Sequence, residues 1–497
     1  MPPLRALDAA FLAMERPNEP RHLGTVMLFD VGRDGPLTHR VVRDLVARRI
    51  RRMPSARRVV VESPLGLGRP RWEEEDVDLE VHVRAVSVEP GEDGGMSALA
   101  DVVARAHARP LDRRRPLWEL HVVEGLADDR AALYAKVHMA ALDDTTGVDL
   151  MTGLLDEDPS GAATIEAADA FAEGAADPAD LYERFVAPVP DQLRRAVGFP
   201  ARLAERAARA VAEQIPGLTD TAFEVARRTP GLDLLGRFLP VSDELVDGAE
   251  HPTGRAPRLS FNAPIGASRC VAFATLATDD IRRLATDAGA SFNKVVVGVC
   301  TGALRRWLLA NDELPTSPIV AIVPVLVSEA KGGGSHIAGL TLALPTHVAD
   351  PAARFTRARQ VLATAKRRRA TAPASLQQDV AMFAPPIVAA ATNRLMDALP
   401  HRPFLSPTVN LAVTNVPGPR RPVYLAGRPL RSGHPVLSVS DLTPLHMGVQ
   451  PGPERTGLGA IACRDHVEEL WSLVGAGPIE LDELRTTFRP RRRRTSP

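Results

Sequence analysis

Hydrophobic and polar positions along the chain set out alternating stretches of strand and helix. PRHLGTVMLFDVG (20–32) reads as a strand, and LTHRVVRDLVARRIRRM (37–53) puts apolar residues at helical spacing with a basic opposite face. DLEVHVRAVSV (78–88) alternates and predicts a strand; MSALADVVARAHARPL (96–111) predicts a helix closed before Pro110. LWELHVVEGL and AALYAKVHM predict two strands joined through an ADDR turn. Up to about residue 155 the pattern is therefore α+β, with mixed strands and helices.

The character then changes. Residues 156–192 open on DEDPSGAATIEAADAFAEGAADPAD, acidic and rich in small residues, and predict a mobile or partly helical surface segment. PARLAERAARAVAEQI (200–215) predicts a helix between Pro200 and Pro216, either bridging domains or lying on a membrane through its Arg face. DGAEHPTGRAPRL (247–259) reads as a linker. A second domain follows. CVAFATLAT predicts a strand, and DDIRRLATDAGA a helix with Asp279 as N-cap. SFNKVVVGVCTGALRRWLLAN (291–311) predicts a long buried helix. PIVAIVPVLV and LTLALPTHV predict strands around a Lys331–Ser335 loop, and Asp350 and Pro351 start a further helix. NLAVTNVPGP (410–419) predicts a strand ending in a hard turn, and the basic tail RPRRRRTSP is expected to be solvated or to touch anionic lipid. The expected domains are 1–192, a crossover and linker 193–259, 260–488, and a tail 489–497.

Composition narrows the classes. A chain of 497 residues exceeds one ordinary core. Lys plus Arg equals Asp plus Glu at 61 each, without the basic field of a nucleic-acid binder. Cys270, Cys300 and Cys463 are too few and too widely spaced for a disulfide framework or a zinc site, which suits a cytoplasmic setting. No apolar run reaches the roughly 18 residues of a membrane span, so contact with a membrane or lipid droplet would be peripheral.

Candidate chemistry concentrates in KVHMAALDDTTGVDLM (136–151), where a predicted strand meets a predicted helix start. His138 stands at the junction, with Asp143 and Asp144 close behind. Imidazole at such a place suits proton transfer near neutrality. The plainer reading makes His138 a satisfied core residue, Met139 a lining hydrophobe, and the two Asp a helix N-cap pair.

Several segments in order resemble the bacterial wax ester synthase/diacylglycerol acyltransferases, within the chloramphenicol-acetyltransferase-like superfamily of CoA-dependent acyltransferases and condensation domains. The resemblance is carried by LRALDAAFLAMERPNEPRHLGTVMLF, RPRWEEEDVDLEVHVR, RPLDRRRPLWELHVVEGL with its PLW run, FNAPIGASRCVAFATL, SFNKVVVGVCTGALRRWL and NLAVTNVPGPRRPVYLAGRPL. It covers residues 4–488 or so and implies two similar α/β domains, each with a mixed sheet flanked by helices, and a tunnel between them. It further implies acyl transfer from acyl-CoA, as substrate and not cofactor, to diacylglycerol or a long-chain alcohol. A condensation domain is disfavoured by the PLW and NVPGP segments and by the lack of carrier modules.

Aligned on the family's HHxxxDG motif, His138 takes the first His position and Asp143 the Asp position. Met139 stands where the catalytic His belongs, and Asp144 where the Gly belongs. A thioether carries no proton at neutral pH. Ser328, Lys294 and Ser335 also replace family residues, an Arg, an Asp and an Asn. The candidate catalytic positions are thus His138, Met139, Asp143 and Asp144, with His121 and His336 as remote sources of a base. Trp118, Asn293, Asn415, Pro417 and Gly418 are the expected substrate-binding residues; as plain structure, Trp118 is core and the last three form a rigid turn. Two functions remain open: an O-acyltransferase of neutral-lipid synthesis, or an impaired homologue that binds acyl-CoA or neutral lipid or regulates an active relative.

Overall fold

A computed structural model describes residues 4, 6–31, 35–62, 70–142, 150, 153–161, 256–327, 336–371, 407 and 409–489. The helices are α1 (Ala6–Met14), α2 (His39–Arg49), α3 (Leu79–His82), α4 (Met96–Ala108), α5 (Thr278–Asp287), α6 (Phe292–Ala310), α7 (Pro351–Thr371) and α8 (Trp471–Phe488). The strands are β1 (His22–Asp30), β2 (Arg58–Val61), β3 (Arg71–Glu74), β4 (Val83–Ser87), β5 (Trp118–Glu124), β6 (Arg130–His138) and β7 (Arg269–Ala277). They continue with β8 (Ile319–Val327), β9 (His336–Leu344), β10 (Leu411–Asn415), β11 (Tyr424–Leu425), β12 (Arg428–Val436), β13 (Leu445–Gln450) and β14 (Arg455–Cys463).

Two six-stranded mixed sheets organise the described residues. The first runs β11-β12-β1-β6-β5-β4 and the second β7-β14-β13-β10-β8-β9. Helices cover both faces of the first sheet, α2 on one and α4 on the other, and the second sheet packs a face against helices of its own half. In the second, α6 is apolar nearly all round, and its Val296, Val297, Cys300 and Leu304 sit in the largest core. In the first, Leu120, Val122, Leu133 and Ala135 pack with Val42, Leu45 and Val46 of α2. The two-domain α/β architecture expected from sequence is present. Its boundary differs in one respect: β11 and β12, from the C-terminal half, complete the N-terminal sheet. β12 pairs antiparallel with β1 from Gly24↔Val436 to Phe29↔Leu430.

Local differences have local causes. The stretch 78–88 is not one strand; Asp78 accepts from the Glu80 N–H and caps the α3 turn, so β4 begins only at Val83. Asp279 is not an N-cap; the cap position is Ala277, Asp279 lies in the first turn, and the Thr278 hydroxyl bonds to the Gly452 carbonyl. The ADDR turn does form, with Asp128 and Asp129 at φ 57° and 51°, a left-handed conformation that Asp tolerates. Asp350 starts α7 by accepting from the Ala353 N–H at 2.7 Å. The segment 162–192, the helix 200–215, the loop 331–335 and the tail 490–497 lie outside the described residues.

Candidate active site

His138 is the last residue of β6, in register with His22 of β1. Strand alternation puts Tyr134, Lys136 and His138 on one face, and Leu133, Ala135 and Val137 on the other, against the α2 core. The chain then turns into a 3₁₀ segment, Met139–Ala141, with His138 as its N-cap. The Ala140 N–H points at His138 Nδ1 at 3.0 Å. A backbone N–H only donates, so Nδ1 is the acceptor and the neutral ring carries its proton on Nε2. Nε2 lies 3.6 Å from Glu15 Oε1, and the side chain is 1% exposed. As placed, His138 has no free lone pair with which to take a proton from a substrate.

Glu15 is the centre of a small polar group. Arg113 holds it through Nε at 3.0 Å and a terminal nitrogen at 2.7 Å. His22 Nε2 is also 3.6 Å from its Oε1. Burial alone would raise the Glu15 carboxyl, but His138 and Arg113 outweigh it and hold the group below the usual carboxylate range. Burial pushes His22 well below an ordinary imidazole, helped by nearby Lys136. His107, whose Nδ1 meets the Tyr134 hydroxyl at 2.7 Å, is pushed down to about 3 by burial.

The same face continues to Lys136, fully buried and donating to the Ala106 and Arg109 carbonyls at 2.9 Å each. Glu119 is its counter-charge at 3.5 Å and also meets His121 Nε2 at 3.1 Å. Burial pushes Lys136 down to about 8. Burial would raise Glu119, but His121 and Lys136 outweigh that and bring it to about 2. A cavity of about 440 Å³ opens beside this group, with His39, Glu80, Val83, Arg84, Arg109 and His121 in its wall. His121 is therefore occupied by Glu119, in a group separate from Met139. Sequence reasoning did not single out Glu15, His22, His107 or Lys136. They come from separate elements, and no spacing in the chain joins them.

Met139 is half-buried, and its N–H donates to the Arg21 carbonyl at 2.8 Å. Asp143, Asp144, Ser328 and Ser335 lie outside the described residues. The segment after the motif is anchored by Asp156, fully buried and bidentate to Arg49 at 2.8 and 2.9 Å.

The other expected residues separate into two places. Trp118 is 2% exposed, stacks 4.5 Å from the His82 ring, and donates from Nε1 to the Ala56 carbonyl at 2.7 Å. It presents no surface to a ligand and packs the first core. Asn293 and Asn415 come together across 122 residues, the Asn415 amide donating to Asn293 Oδ1 at 2.5 Å. Pro417 accepts from the Gln450 amide at 3.1 Å. Only glycine fits at 418, where a Cβ would stand 1.8 Å from the Pro451 carbonyl oxygen.

The model for the wax ester synthase/diacylglycerol acyltransferase catalytic domain matches residues 4–296, and the model for the C-terminal domain of these proteins matches residues 333–485. A Mycobacterium tuberculosis protein named as a diacylglycerol O-acyltransferase is 29% identical over 489 residues, covering 97% of this chain and 89% of its own length. A Mycobacterium bovis protein of the same name is 30% identical over 497 residues, covering 97% and 90%. The structure of the wax ester synthase/diacylglycerol acyltransferase of Marinobacter aquaeolei matches with a TM-score of 0.64 at 25% identity, over 98% of this chain and 100% of that one. The first condensation domain of the calcium-dependent antibiotic synthetase matches in fold alone, with a TM-score of 0.50 at 17% identity over 97% and 96%. With both halves matched, this chain belongs to the wax ester synthase/diacylglycerol acyltransferase family.

Proposed function

We propose that the chain is an acyl-CoA-dependent O-acyltransferase of neutral-lipid synthesis that esterifies diacylglycerol or a long-chain alcohol. The observation that carries this reading is family membership across both halves of the chain. In this reading the thioester and the acceptor hydroxyl meet in a tunnel between the sheets, flanked by the 3₁₀ turn at Met139 and the Asn293–Asn415 pair. Its acceptors are dissolved in lipid, so the protein meets a membrane or droplet surface peripherally. Among the described residues no helix is long and apolar enough to cross a membrane.

One observation favours a second reading, an impaired homologue that holds acyl-CoA or neutral lipid or regulates an active relative. The family resemblance places Met139 at the base position, and the neighbouring imidazole uses its lone pair at Nδ1 on the Ala140 N–H, with Nε2 3.6 Å from Glu15. Losing a positioned base costs about 10²–10⁴-fold in rate. The test is transfer from a long-chain acyl-CoA to diacylglycerol and to hexadecanol by wild type, Met139→His and His138→Ala. Wild-type turnover that rises about 100-fold or more in Met139→His supports a transferase with a lost base. No turnover in either, with acyl-CoA binding retained, leaves the second reading. Turnover abolished by His138→Ala at unchanged thermal stability would make His138 the base after all.

A further inference from the structure

The basic face of α2 has no part in the site described above. The helix turns Val42, Leu45 and Val46 into the core of the first sheet. Helical spacing then puts Arg40, Arg43, Asp44, Ala47 and Arg48 on the outer side, and the 3₁₀ turn Ile50–Arg52 continues the row with Arg51 and Arg52. Arg40, Arg48, Arg51 and Arg52 are exposed. From residue 40 to residue 52 the stripe runs about 18 Å. Acidic groups answer only its first half: Asp44 lies 3.9 Å from Arg40, and Glu80 pairs with Arg43 at 2.5 Å. Among the described residues Arg48, Arg51 and Arg52 meet no carboxylate. Arg49, between them, is not part of the stripe; it is committed to Asp156. A helix dipole favours cations in the last turn but not at the start, where Arg40 follows His39 and no acidic residue stands in the first turn. Like charges spaced three and four apart also repel one another. Helix stability therefore does not account for the stripe, whereas an anionic partner lying along it would offset both effects.

The surroundings say which partner. Residues 39–58 contain no Phe, Tyr or Trp on which a base could stack, and the chain balances 61 basic with 61 acidic residues, unlike a nucleic-acid binder. At its first turn the stripe meets the cavity of about 440 Å³, whose wall holds His39 together with Arg84 and Arg109. Arg84 reaches Glu119 only at 3.5 Å, and its Nε has no acceptor among the described residues. Guanidinium groups suit phosphate oxygens, which they meet with two parallel donors. We propose that the outer face of α2, from Arg40 to Arg52, docks the protein on a bilayer bearing anionic phospholipid, its arginines meeting the lipid phosphates. The inference rests on the reading that the acceptors are drawn from a lipid surface, and it sets that surface against α2.

The test reads binding apart from turnover. Full-length protein is sedimented with vesicles of phosphatidylcholine, alone or with one part in four of phosphatidylglycerol, without diacylglycerol or acyl-CoA. Wild type is expected on the anionic vesicles only, and to leave them as salt is raised. Each arginine near such a surface contributes about fivefold in affinity, so Arg48→Gln/Arg52→Gln should bind about 25-fold more weakly. Arg48→Lys/Arg52→Lys should keep most of the binding, which separates lost charge from lost fold. Arg282→Gln/Arg283→Gln, the same charge change at exposed positions of α5, should bind as wild type does. Binding that follows the stripe in a protein without turnover supports the docking face and removes the transferase. Unchanged binding in Arg48→Gln/Arg52→Gln, an equal loss in the α5 variant, or equal binding to neutral vesicles overturns the proposal. So does wild type that binds duplex DNA but no vesicle, an outcome that leaves the acyltransferase reading to its own turnover assay.

Discussion

Lys136 is the residue whose environment departs furthest from its appearance in the chain. Within AALYAKVHM it reads as the polar half of an alternating strand, yet none of its side chain is exposed. The charge is tolerated because two carbonyls and Glu119 surround it. Removing one partner of a buried pair leaves the other uncompensated, at a cost of about 3–5 kcal/mol. Glu119→Gln is therefore expected to lower the urea midpoint of unfolding strongly at pH 7, and adding Lys136→Met should recover much of the loss. An unchanged midpoint in Glu119→Gln would mean that Lys136 is held by carbonyls alone. The sign of the pH dependence follows. Glu119 has an ordinary value of 4.5 and sits at about 2 in the fold. Its contribution is complete above 4.5 and disappears as pH falls from 4.5 towards 2. Wild type should lose stability over that window more steeply than Glu119→Gln, as measured by urea midpoints at successive pH values.

At the scale of elements, the two sheets touch where β12 crosses β14. Backbone meets backbone there because glycines remove the side chains. A Cβ on Gly457 would stand 1.9 Å from the Gly433 carbonyl oxygen, and one on Gly459 would stand 2.1 Å from that of Pro435. Gly459→Val must push β14 away from β12. Overpacking of this kind costs about 1–3 kcal/mol, and more when the obstacle is backbone. The expected outcome is a lowered denaturant midpoint, with the loss partly shared by the neighbouring Phe273–His434 contact between β7 and β12. A midpoint within error of wild type would show that the strands separate freely. Most elements were legible from period alone: β1, α4 and α6 fall within their expected stretches, β6 and β7 begin one residue before theirs, and α7 starts where Asp350 and Pro351 place it and runs on to Thr371. The exceptions were decided by caps and partners. Asp78 turned the start of one apparent strand into a helical turn, and β12 was invisible as a member of the first sheet because its partner, β1, lies some 400 residues earlier.

At the scale of the molecule, β12 makes the two halves one unit. The first sheet is incomplete without residues 428–436, and those residues leave and re-enter the second half. Unfolding of either half should therefore expose the other. Single-tryptophan variants retaining Trp118 in the first core or Trp307 in the second are expected to report coincident guanidinium transitions. Two separated transitions would show that β12 does not couple them. The candidate site divides along the same line. The sequence alone determined the two-domain α/β architecture and the family likeness, and through that likeness it proposes Met139 as the position of the family's base. Those depend on local periodicity and on which side chain occupies a known place in a motif. Tertiary structure alone decided that His138 is a cap, that Trp118 is core, and that Asn293 and Asn415 meet. A hydrogen bond fixes which nitrogen of an imidazole keeps its lone pair, and that bond depends on partners the chain brings together only by folding.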